Sequence, residues 1–435
     1  MGKTYLEKAR EIPVAGHYDV VVAGAGPAGV AAACAAACHG ASVMVFEHQN
    51  CPGGMAVPGM MSHWVGMTGS SVCREIRSRC LAQAWDVEKV GDWNRHVINH
   101  EKEKLVILDL LEESGASIQL CTDVVDVIME GNRVKGVITQ SKSGREAVEA
   151  DVVIDCTGDG DVAALAGAEY HLGREEDGRM QPVTLMFKIA GVDFERAVFP
   201  GSFETLVETP KGELQALARK LLPKPAGHVL LYPCTIPGFV VVNMTNVTDI
   251  DGTDVRDITR AEITCARQIP AIVAFLREYV PGYEKCFAVS SAANVGIRET
   301  RHFKGLYTLS AEDIVEARRF DDWIATKSAF NFDIHNVEGS GLDRNGAQKH
   351  FHSKGTYTIP YRCCIPEKID GLLLAGRCIS GSHKAHSNYR AMPICAGIGQ
   401  GCGVAAAVAV KDHVLPRNVD VKKVQKLLTE DGIDF

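Results

Sequence analysis

The order of apolar and polar positions near the start of the chain predicts a strand, a helix and a second strand. Asp19–Ala23 is a short, β-branched apolar run, which is typical of a strand buried on both faces of a sheet. Ala28–Cys38 is nearly all alanine, so it predicts a narrow helix that can lie flat on that sheet. Ala41–Phe46 predicts the second strand, and together the three elements predict the first unit of an open α/β sheet.

The turn between the first strand and the helix carries Gly24, Gly26 and Gly29 in the spacing GxGxxG. The first glycine permits a tight turn, the second lets a pyrophosphate approach the backbone, and the third allows close packing of helix and sheet. Pro27 suits a first helical turn, and Glu47, about 20 residues further on, is placed to accept hydrogen bonds from ribose hydroxyls. This context favours a bound dinucleotide over an ordinary glycine turn.

A second pattern predicts an antiparallel addition to the sheet. Asp123–Glu130, Arg133–Gln140 and Ala147–Ala150 alternate apolar and polar residues and are separated by glycine-containing turns, which predicts a three-stranded meander. Asp151–Cys156 is predicted as a further, fully buried strand.

The pattern of apolar and polar residues changes after Ala168, and this change predicts a second domain. We predict a discontinuous first domain, 1–167 and 354–435, around a second domain, 168–353. The remaining predicted elements are helices over Ser70–Ala84, Ile98–Glu113 and Thr259–Tyr279, strands over Ala116–Cys121, Val183–Ile189, parts of Val229–Val247 and Gly371–Ala375, and a last helix ending near Val410.

Composition narrows the function classes. The 435 residues include 46 basic and 54 acidic side chains, a net charge of −8, and they contain no run of lysine or arginine, which argues against a nucleic-acid partner. The 15 cysteines include no CxxC pair, so we expect buried reduced thiols and no metal site.

The apolar stretches do not predict a membrane protein. The first residues, MGKTYLEKAREIPV, are charged, so we expect no signal peptide and a cytoplasmic location. Val20–Phe46 and Ala391–Val410 carry no formal charge, but both are rich in glycine and alanine. We therefore predict helices buried against a sheet and no membrane span.

Several motifs along the chain resemble one group of proteins, the flavoproteins with two dinucleotide-binding domains, which share the FAD fold of glutathione reductase and fumarate reductase. Within that group the chain resembles the family of FAD-dependent oxidoreductases. The motifs are the glycine turn, Cys51–Ala56, Asp155–Asp161, Gly296–Arg301, Asp333–His335 and Tyr361 through Gly403. The resemblance implies an α/β fold, with a Rossmann-like FAD-binding domain (a central parallel sheet with an antiparallel meander) and a smaller α+β substrate or cap domain.

The resemblance implies FAD as the cofactor and a set of residues around it. Arg377 stands where many related flavoproteins carry an acid, and a cation there would neutralise the pyrophosphate directly. Ala391 and Met392 would offer backbone N–H groups to the flavin, at the start of a helix whose dipole favours negative charge. The full predicted set is Gly24, Gly26, Pro27, Ala28, Gly29, Glu47, His48, Gly53, Gly54, Met55, Ala56, Val124, Val125, Thr157, Gly158, Asp159, Gly376, Arg377, Ala391 and Met392.

Five residues are candidates for catalysis. His383 and His386 precede the last helix and could take a proton as a hydride leaves toward the flavin. Arg390 could hold a substrate carboxylate. Arg298, in the segment GIRETR, belongs either to the site or to an internal ion-pair network, and His335 belongs either to an acid–histidine pair with Asp333 or to a plain turn.

The sequence therefore predicts an FAD-dependent oxidoreductase, a dehydrogenase or reductase, that moves a hydride between flavin N5 and a small polar substrate. A hydroxy acid, a sugar-like alcohol or an enoate would serve. Since no second strand–GxGxxG–helix unit is visible, electrons would come from the substrate, a free reductant, a quinone or a separate partner. An NAD-linked dehydrogenase and a non-catalytic or RNA-modifying flavin-fold protein remain as alternatives, and a homo-oligomer is left open.

Overall fold

A computed structural model describes residues 4–82, 97–347 and 353–435. Its strands are β1 (Val14–Ala23), β2 (Val43–Phe46), β3 (Ser117–Gln119), β4 (Asp123–Glu130), β5 (Arg133–Ser141), β6 (Gly144–Asp155), β7 (Tyr170–Leu172), β8 (Phe187–Ala190), β9 (Glu208–Thr209), β10 (Gly212–Glu213), β11 (Leu231–Pro233), β12 (Val240–Val242), β13 (Phe287–Ser291), β14 (Arg301–Phe303), β15 (Trp323–Ser328), β16 (Tyr357–Pro360) and β17 (Leu372–Leu374). Its helices are α1 (Pro27–Cys38), α2 (Ser71–Ala82), α3 (His100–Ser114), α4 (Asp161–Leu165), α5 (Leu214–Leu221), α6 (Val255–Tyr279), α7 (Ala311–Val315), α8 (His383–Tyr389), α9 (Met392–Asp412) and α10 (Val421–Glu430).

The main sheet has seven strands in the order β3-β2-β1-β6-β5-β4, with β17 also paired to β6. The strands β3, β2, β1, β6 and β17 run parallel, and β4 and β5 add the predicted antiparallel hairpin. The prediction of separate strands over Ala147–Ala150 and Asp151–Cys156 is wrong, because β6 is one continuous strand. Its first half pairs with β5 and its end pairs with β17, so one strand satisfies both patterns.

Most predicted helices are present with shifted ends. The helix predicted over Ile98–Glu113 is α3, which Asn99 caps by accepting a hydrogen bond from the Glu101 N–H, and which ends at Gly115 with a φ of 85°. The helix predicted over Ser70–Ala84 is α2, and its last two predicted residues lie outside the described ranges.

The glycine- and alanine-rich helices α1 and α9 pack closely against each other beside the main sheet, with their backbones in contact. A Cβ atom at Gly399 or Gly403 would lie 2.0 or 2.2 Å from the carbonyl oxygens of Ala28 and Ala32, so only glycine fits at these two positions. The α9 helix is long and apolar enough to cross a bilayer, but 94% of its apolar window is buried inside the protein. Although the composition of α9 resembles that of a membrane span, α9 is a helix of the protein core.

A smaller antiparallel sheet, in the order β11-β12-β8-β13, lies apart from the main one. Phe187, Val242 and Ile272 are members of a hydrophobic core that this sheet shares with α5 and α6. The strand predicted over Val183–Ile189 is shorter than expected, since Val183 forms only an isolated bridge to Val247.

The distribution of core residues bears on the predicted domains. Phe303, Ile324 and Phe332 fall inside the predicted second domain, yet they belong to the large core around the main sheet. The division at 168 and 353 stays a prediction, and this packing favours a shorter second unit that ends near residue 300.

Candidate active site

A large cavity of about 570 Å³ lies at the carboxyl ends of β1, β2 and β6, where ligands bind in open α/β sheets. The glycine turn after β1 forms one side, and the segment 156–159 after β6 forms another. Residues 252–258 and 294–297, which approach from the smaller sheet, also line it. The cavity is therefore built by both parts of the chain.

The residues at this cavity fit a dinucleotide. A Cβ at Gly26 would meet nothing closer than the Gly54 Cα at 4.0 Å, so the missing side chain leaves a cradle open toward the cavity. No side chain caps the first turn of α1, which leaves its N–H groups available to a phosphate. Glu47 is buried and oriented, since its Oε2 accepts the Ala25 N–H at 2.7 Å and its Oε1 accepts the Gln49 N–H at 2.8 Å.

Most of the predicted cofactor residues line this cavity. They are Gly24, Gly26, Pro27, Ala28, Glu47, His48, Gly54, Met55, Val124, Thr157, Gly158, Asp159, Gly376, Arg377 and Met392. Five do not line it: Ala391, which lines a second, smaller cavity, and Gly29, Gly53, Ala56 and Val125, which line neither. Gly29 and Gly53 serve the packing of the turn instead, because a Cβ at either position would lie within 2.5 Å of a neighbouring Gly24 or Val57 atom.

A small cavity of about 280 Å³ adjoins the large one. Met55, Ile297, Arg377, Arg390 and Met392 line both cavities and form their junction. The predicted Ala391 lines the small cavity at the first turn of α9, which no side chain caps. The remaining walls are largely apolar and are formed by Met61, Met186, Phe203, Leu230 and Tyr232.

Three arginines face the small cavity. Arg298 is buried, and among the described residues it donates to two neutral groups, the Pro182 carbonyl and the Thr184 hydroxyl. Burial lowers the pKa of Arg298 to about 10, and the positive charge of Arg390 acts in the same direction. Arg390 donates to Asp333, with 3.0 Å between Nη2 and Oδ2, and its Nε has no partner among the described residues.

That Arg377 neutralises a pyrophosphate directly stays a prediction. Its guanidinium lies 3.1 Å from Asp159 Oδ1, so the two side chains together are close to neutral. Among the described residues that line the small cavity, Asp333 is then the one acid facing Arg298 and Arg390. These described side chains therefore carry an excess of one positive charge.

His335 is a titratable base in the small cavity with a carboxylate partner. Its Nε2 lies 3.4 Å from Asp333 Oδ2, as in an acid–histidine pair. Burial and the positive charge of Arg298 lower the pKa of His335 to about 4, while Asp333 opposes the shift. His335 is thus a neutral imidazole at pH 7, oriented by a carboxylate.

Two predicted catalytic residues lie elsewhere. His383 and His386 line neither cavity. His383 Nδ1 contacts Glu299 Oε1 at 2.5 Å, and His386 is buried against His302 and Tyr389. Their direct role in proton transfer stays a prediction, and the geometry brings Arg298, Arg390 and His335 together instead.

The sequence also left several cavity residues unnamed. Asn243 lines the small cavity, and its buried Oδ1 has no partner among the described residues. Thr184 and Asn243 lie in or beside the smaller sheet, so the pairing of distant strands brings them to the cavity. No local motif marks them, and pattern analysis had no signal to find them.

Comparison with known proteins agrees with this geometry. The family described as FAD dependent oxidoreductase matches residues 19–428. Among curated relatives, digeranylgeranylglycerophospholipid reductase 2 of Methanopyrus kandleri is 28% identical over 225 residues, which is 46% of this chain and 53% of that protein. Thiamine thiazole synthase of Sulfolobus acidocaldarius is 29% identical over 200 residues, 42% of this chain and 72% of that protein. The chain thus spans about half the length of the first relative.

Solved structures share the fold. A triple mutant of the flavin-dependent brominase Bmp2 superposes with a TM-score of 0.51 and 14% identity, covering 95% of this chain and 84% of that one. This likeness concerns the fold alone. The predicted α/β class, with its Rossmann-like domain and central, mostly parallel sheet, is confirmed.

Proposed function

Because the chain belongs to the family of FAD dependent oxidoreductases, with FAD as its cofactor, we propose that it moves a hydride between flavin N5 and a small carboxylate-bearing substrate held in the small cavity. Bound in the large cavity, FAD supplies the hydride chemistry. The side chains of this protein bind the substrate, orient it and handle its proton.

The excess positive charge of the small cavity carries this proposal. A buried arginine with only neutral partners is costly unless an anion reaches it. Arg298 and the partnerless Nε of Arg390 supply donors of the kind that hold a carboxylate in a fixed geometry. The cavity is therefore electrostatically complete only when an anion is bound.

Substrate binding and proton transfer are then coupled. A carboxylate beside Arg298 offsets the charge that holds down the pKa of His335. The imidazole becomes a stronger base once the substrate is in place, and Asp333 keeps the ring oriented through the 3.4 Å contact. His335 would take the proton of a substrate hydroxyl, or return one to carbon in the reverse direction.

The walls narrow the substrate further. Met61, Met186, Phe203 and Leu230 form an apolar part of the wall, which suits a substrate with an apolar body better than a sugar-like alcohol. A hydroxy acid or an enoate with an apolar body would place its carboxylate at the arginines and its apolar part against these walls. The buried Oδ1 of Asn243 can accept a hydroxyl hydrogen, which favours the hydroxy acid.

The test is anaerobic reduction of the bound flavin, followed at 450 nm. Apolar 2-hydroxy acids are expected to bleach the flavin, and their methyl esters are expected to be inactive. Arg390→Lys should raise the KM for the acid about ten- to hundredfold, since lysine lacks the two-pronged donor. Arg196→Lys, at an arginine whose side chain is 61% exposed and lines neither cavity, is the control. Equal rates with acid and ester would refute the carboxylate proposal.

A second candidate is reduction of an isolated C=C bond in an apolar chain. The apolar walls allow it, and the Methanopyrus relative is named a lipid reductase. An apolar chain brings no carboxylate to balance the charge of Arg298, so we rank this reaction second. Oxidation of pre-reduced flavin by a prenyl alcohol, but not by an enoate, would favour it. A separate electron donor or acceptor and a homo-oligomer stay predictions.

A further inference from the structure

A second group of chemically reactive side chains lies outside both cavities. Glu299 Oε1 is 2.8 Å from His302 Nε2 and 2.5 Å from His383 Nδ1. One ligand atom from each residue lies within 4.8 Å of the others. Glu299 and His302 are almost fully buried, whereas the His383 side chain is 13% exposed. We call these three residues the Glu-His-His cluster.

Hydrogen bonds to groups outside the Glu-His-His cluster fix the orientation of two of its side chains. His302 Nδ1 is 3.0 Å from the Gly381 carbonyl oxygen, and Glu299 Oε2 accepts the Gln181 N–H at 3.1 Å. A histidine whose second nitrogen donates to a backbone carbonyl is the usual arrangement behind a metal ligand. It turns His302 Nε2 toward the Glu299 carboxylate, and either a ring proton or a metal ion between these two atoms would satisfy both.

From this geometry we propose that Glu299, His302 and His383 bind one divalent transition metal of the zinc class. Two imidazoles and one carboxylate are ligands that Zn²⁺ accepts, with a fourth position left open. His383 gives the entry path, because it is the exposed member. Glu175 lies at that mouth, where its Oε1 accepts the His383 backbone N–H at 3.2 Å, and it adds a compensating negative charge.

The size of the cluster sets one requirement. Tetrahedral zinc with bonds of about 2.0–2.1 Å holds its ligand atoms roughly 3.3 Å apart. The two measured separations, 2.8 and 2.5 Å, are shorter by roughly 0.5 and 0.8 Å, so both rings must move outward on loading. The His383 ring, at the N-terminal end of the short helix α8, is the more exposed of the two and makes the larger movement.

The experiment uses the FAD-loaded protein, stripped with EDTA, desalted and titrated with ZnCl₂ by calorimetry, with the bound metal counted by mass spectrometry. The exposed thiols Cys38 and Cys121 are first changed to serine, because they are competing ligands. Flavin absorbance at 450 nm reports folding in every variant, and it does not depend on turnover of any substrate. The result is therefore separate from the proposed hydride transfer.

We expect one zinc per chain with a Kd below about 1 µM and a nitrogen and oxygen shell near 2.0 Å by X-ray absorption. His383→Gln and Glu299→Gln should each weaken binding at least tenfold. His413→Asn, which removes an exposed histidine elsewhere, should not weaken it. A Kd above about 1 µM, sulfur in the shell, or unchanged affinity in His383→Gln would overturn the proposal.

Discussion

At the scale of single residues, two glycines of one turn serve different purposes. A Cβ at Gly29 would lie 1.8 Å from the Gly24 carbonyl oxygen, so this position is needed for folding. A Cβ at Gly26 would lie in free space that faces the large cavity. A substitution at Gly26, but not one at Gly29, can therefore change cofactor binding without changing the fold.

Gly26→Val should therefore keep the fold and lose the cofactor. The valine methyl groups would occupy the space left for the pyrophosphate, and we expect FAD affinity to fall at least a hundredfold. Gly339→Val, at a glycine with nothing within 4 Å of its Cβ position, is the control. Flavin absorbance and far-UV circular dichroism measure the two effects, and full FAD occupancy in Gly26→Val would contradict the assignment of the turn.

Glu103 is a buried acid that serves neither cavity. Its Oε1 accepts the Trp64 indole N–H at 3.0 Å, and its Oε2 has no partner among the described residues. Burial raises the pKa of Glu103 to about 8 from an ordinary 4.5, and the Trp64 hydrogen bond opposes this shift. The folded protein thus holds a proton that the unfolded chain has released.

The pH dependence follows from this difference. Between about pH 4.5 and pH 8 unfolding releases a proton from Glu103, so stability falls as the pH rises through this window. Glu103→Gln keeps the acceptor for Trp64 and removes the titration. We expect the variant to unfold a few degrees above the wild type at pH 8 and close to it at pH 4.5, as measured by thermal unfolding. An equal difference at both pH values would show that Glu103 does not titrate in this range.

At the scale of elements, the contact between α1 and α9 couples the core to the cofactor. The first turn of α1 faces the large cavity, and further along the helix Ala32 meets Gly403 of α9. Any widening of this contact shifts the first turn of α1. The helix that would hold the phosphate thus depends on small residues about 370 positions away in the sequence.

Gly403→Ala tests this coupling. Its methyl group would overlap the Ala32 carbonyl oxygen, so we expect a loss of roughly 2 kcal/mol or more in the free energy of unfolding and weaker FAD binding. Val410→Ala, near the half-buried end of α9, should cost less and leave FAD affinity unchanged. Denaturant unfolding and FAD titration give both numbers, and wild-type stability in Gly403→Ala would show that the two helices can move apart freely.

Elements with a local cause were predictable from the sequence. The β1–α1–β2 unit, the meander and the glycine-terminated α3 all follow from periodicity and turn residues close by in the chain. The continuous strand β6 was divided in two, because its partners change along its length while its own pattern only shifts from alternating to fully apolar. Strands β8, β11 and β12 are three or four residues long and depend on distant partners.

The candidate active site, like the fold, could be predicted from the sequence only in part. Arg298, His335 and Arg390 could each be named from the chemistry of the side chain, but their convergence on one cavity depends on how both sheets are placed. His383 and His386 lie as close in sequence to the last helix as Arg390 does. The orientation of α8 turns them toward Glu299 and His302 instead, which no linear pattern encodes.

At the scale of the whole molecule, the large cavity borders two clusters of buried apolar residues. Ala28 and Phe46 of its lining belong to the large core around the main sheet, and Val295 belongs to a separate cluster. A dinucleotide bound there would lie between the two. A ligand that binds only the folded state stabilises it by an amount set by its concentration.

Cofactor removal should therefore destabilise the whole protein and not one part alone. With FAD at about a hundred times its Kd, we expect a stabilisation of about 2.7 kcal/mol and one cooperative transition that moves to higher temperature. Calorimetry on the FAD-free and reconstituted protein measures it. A first transition that keeps its temperature when FAD is added would show that one core unfolds independently of the cavity.

The shared walls of the large cavity also bear on how long one cofactor stays with one protein molecule. Residues 252–258 and 294–297 border the same space as the glycine turn, so a departing FAD must give up contacts with both. Exchange with free flavin is then expected to be slower than at a site formed by the glycine turn alone. In a cell short of flavin, newly made chains would remain unfilled and be the ones exposed to degradation, while older, filled chains would persist.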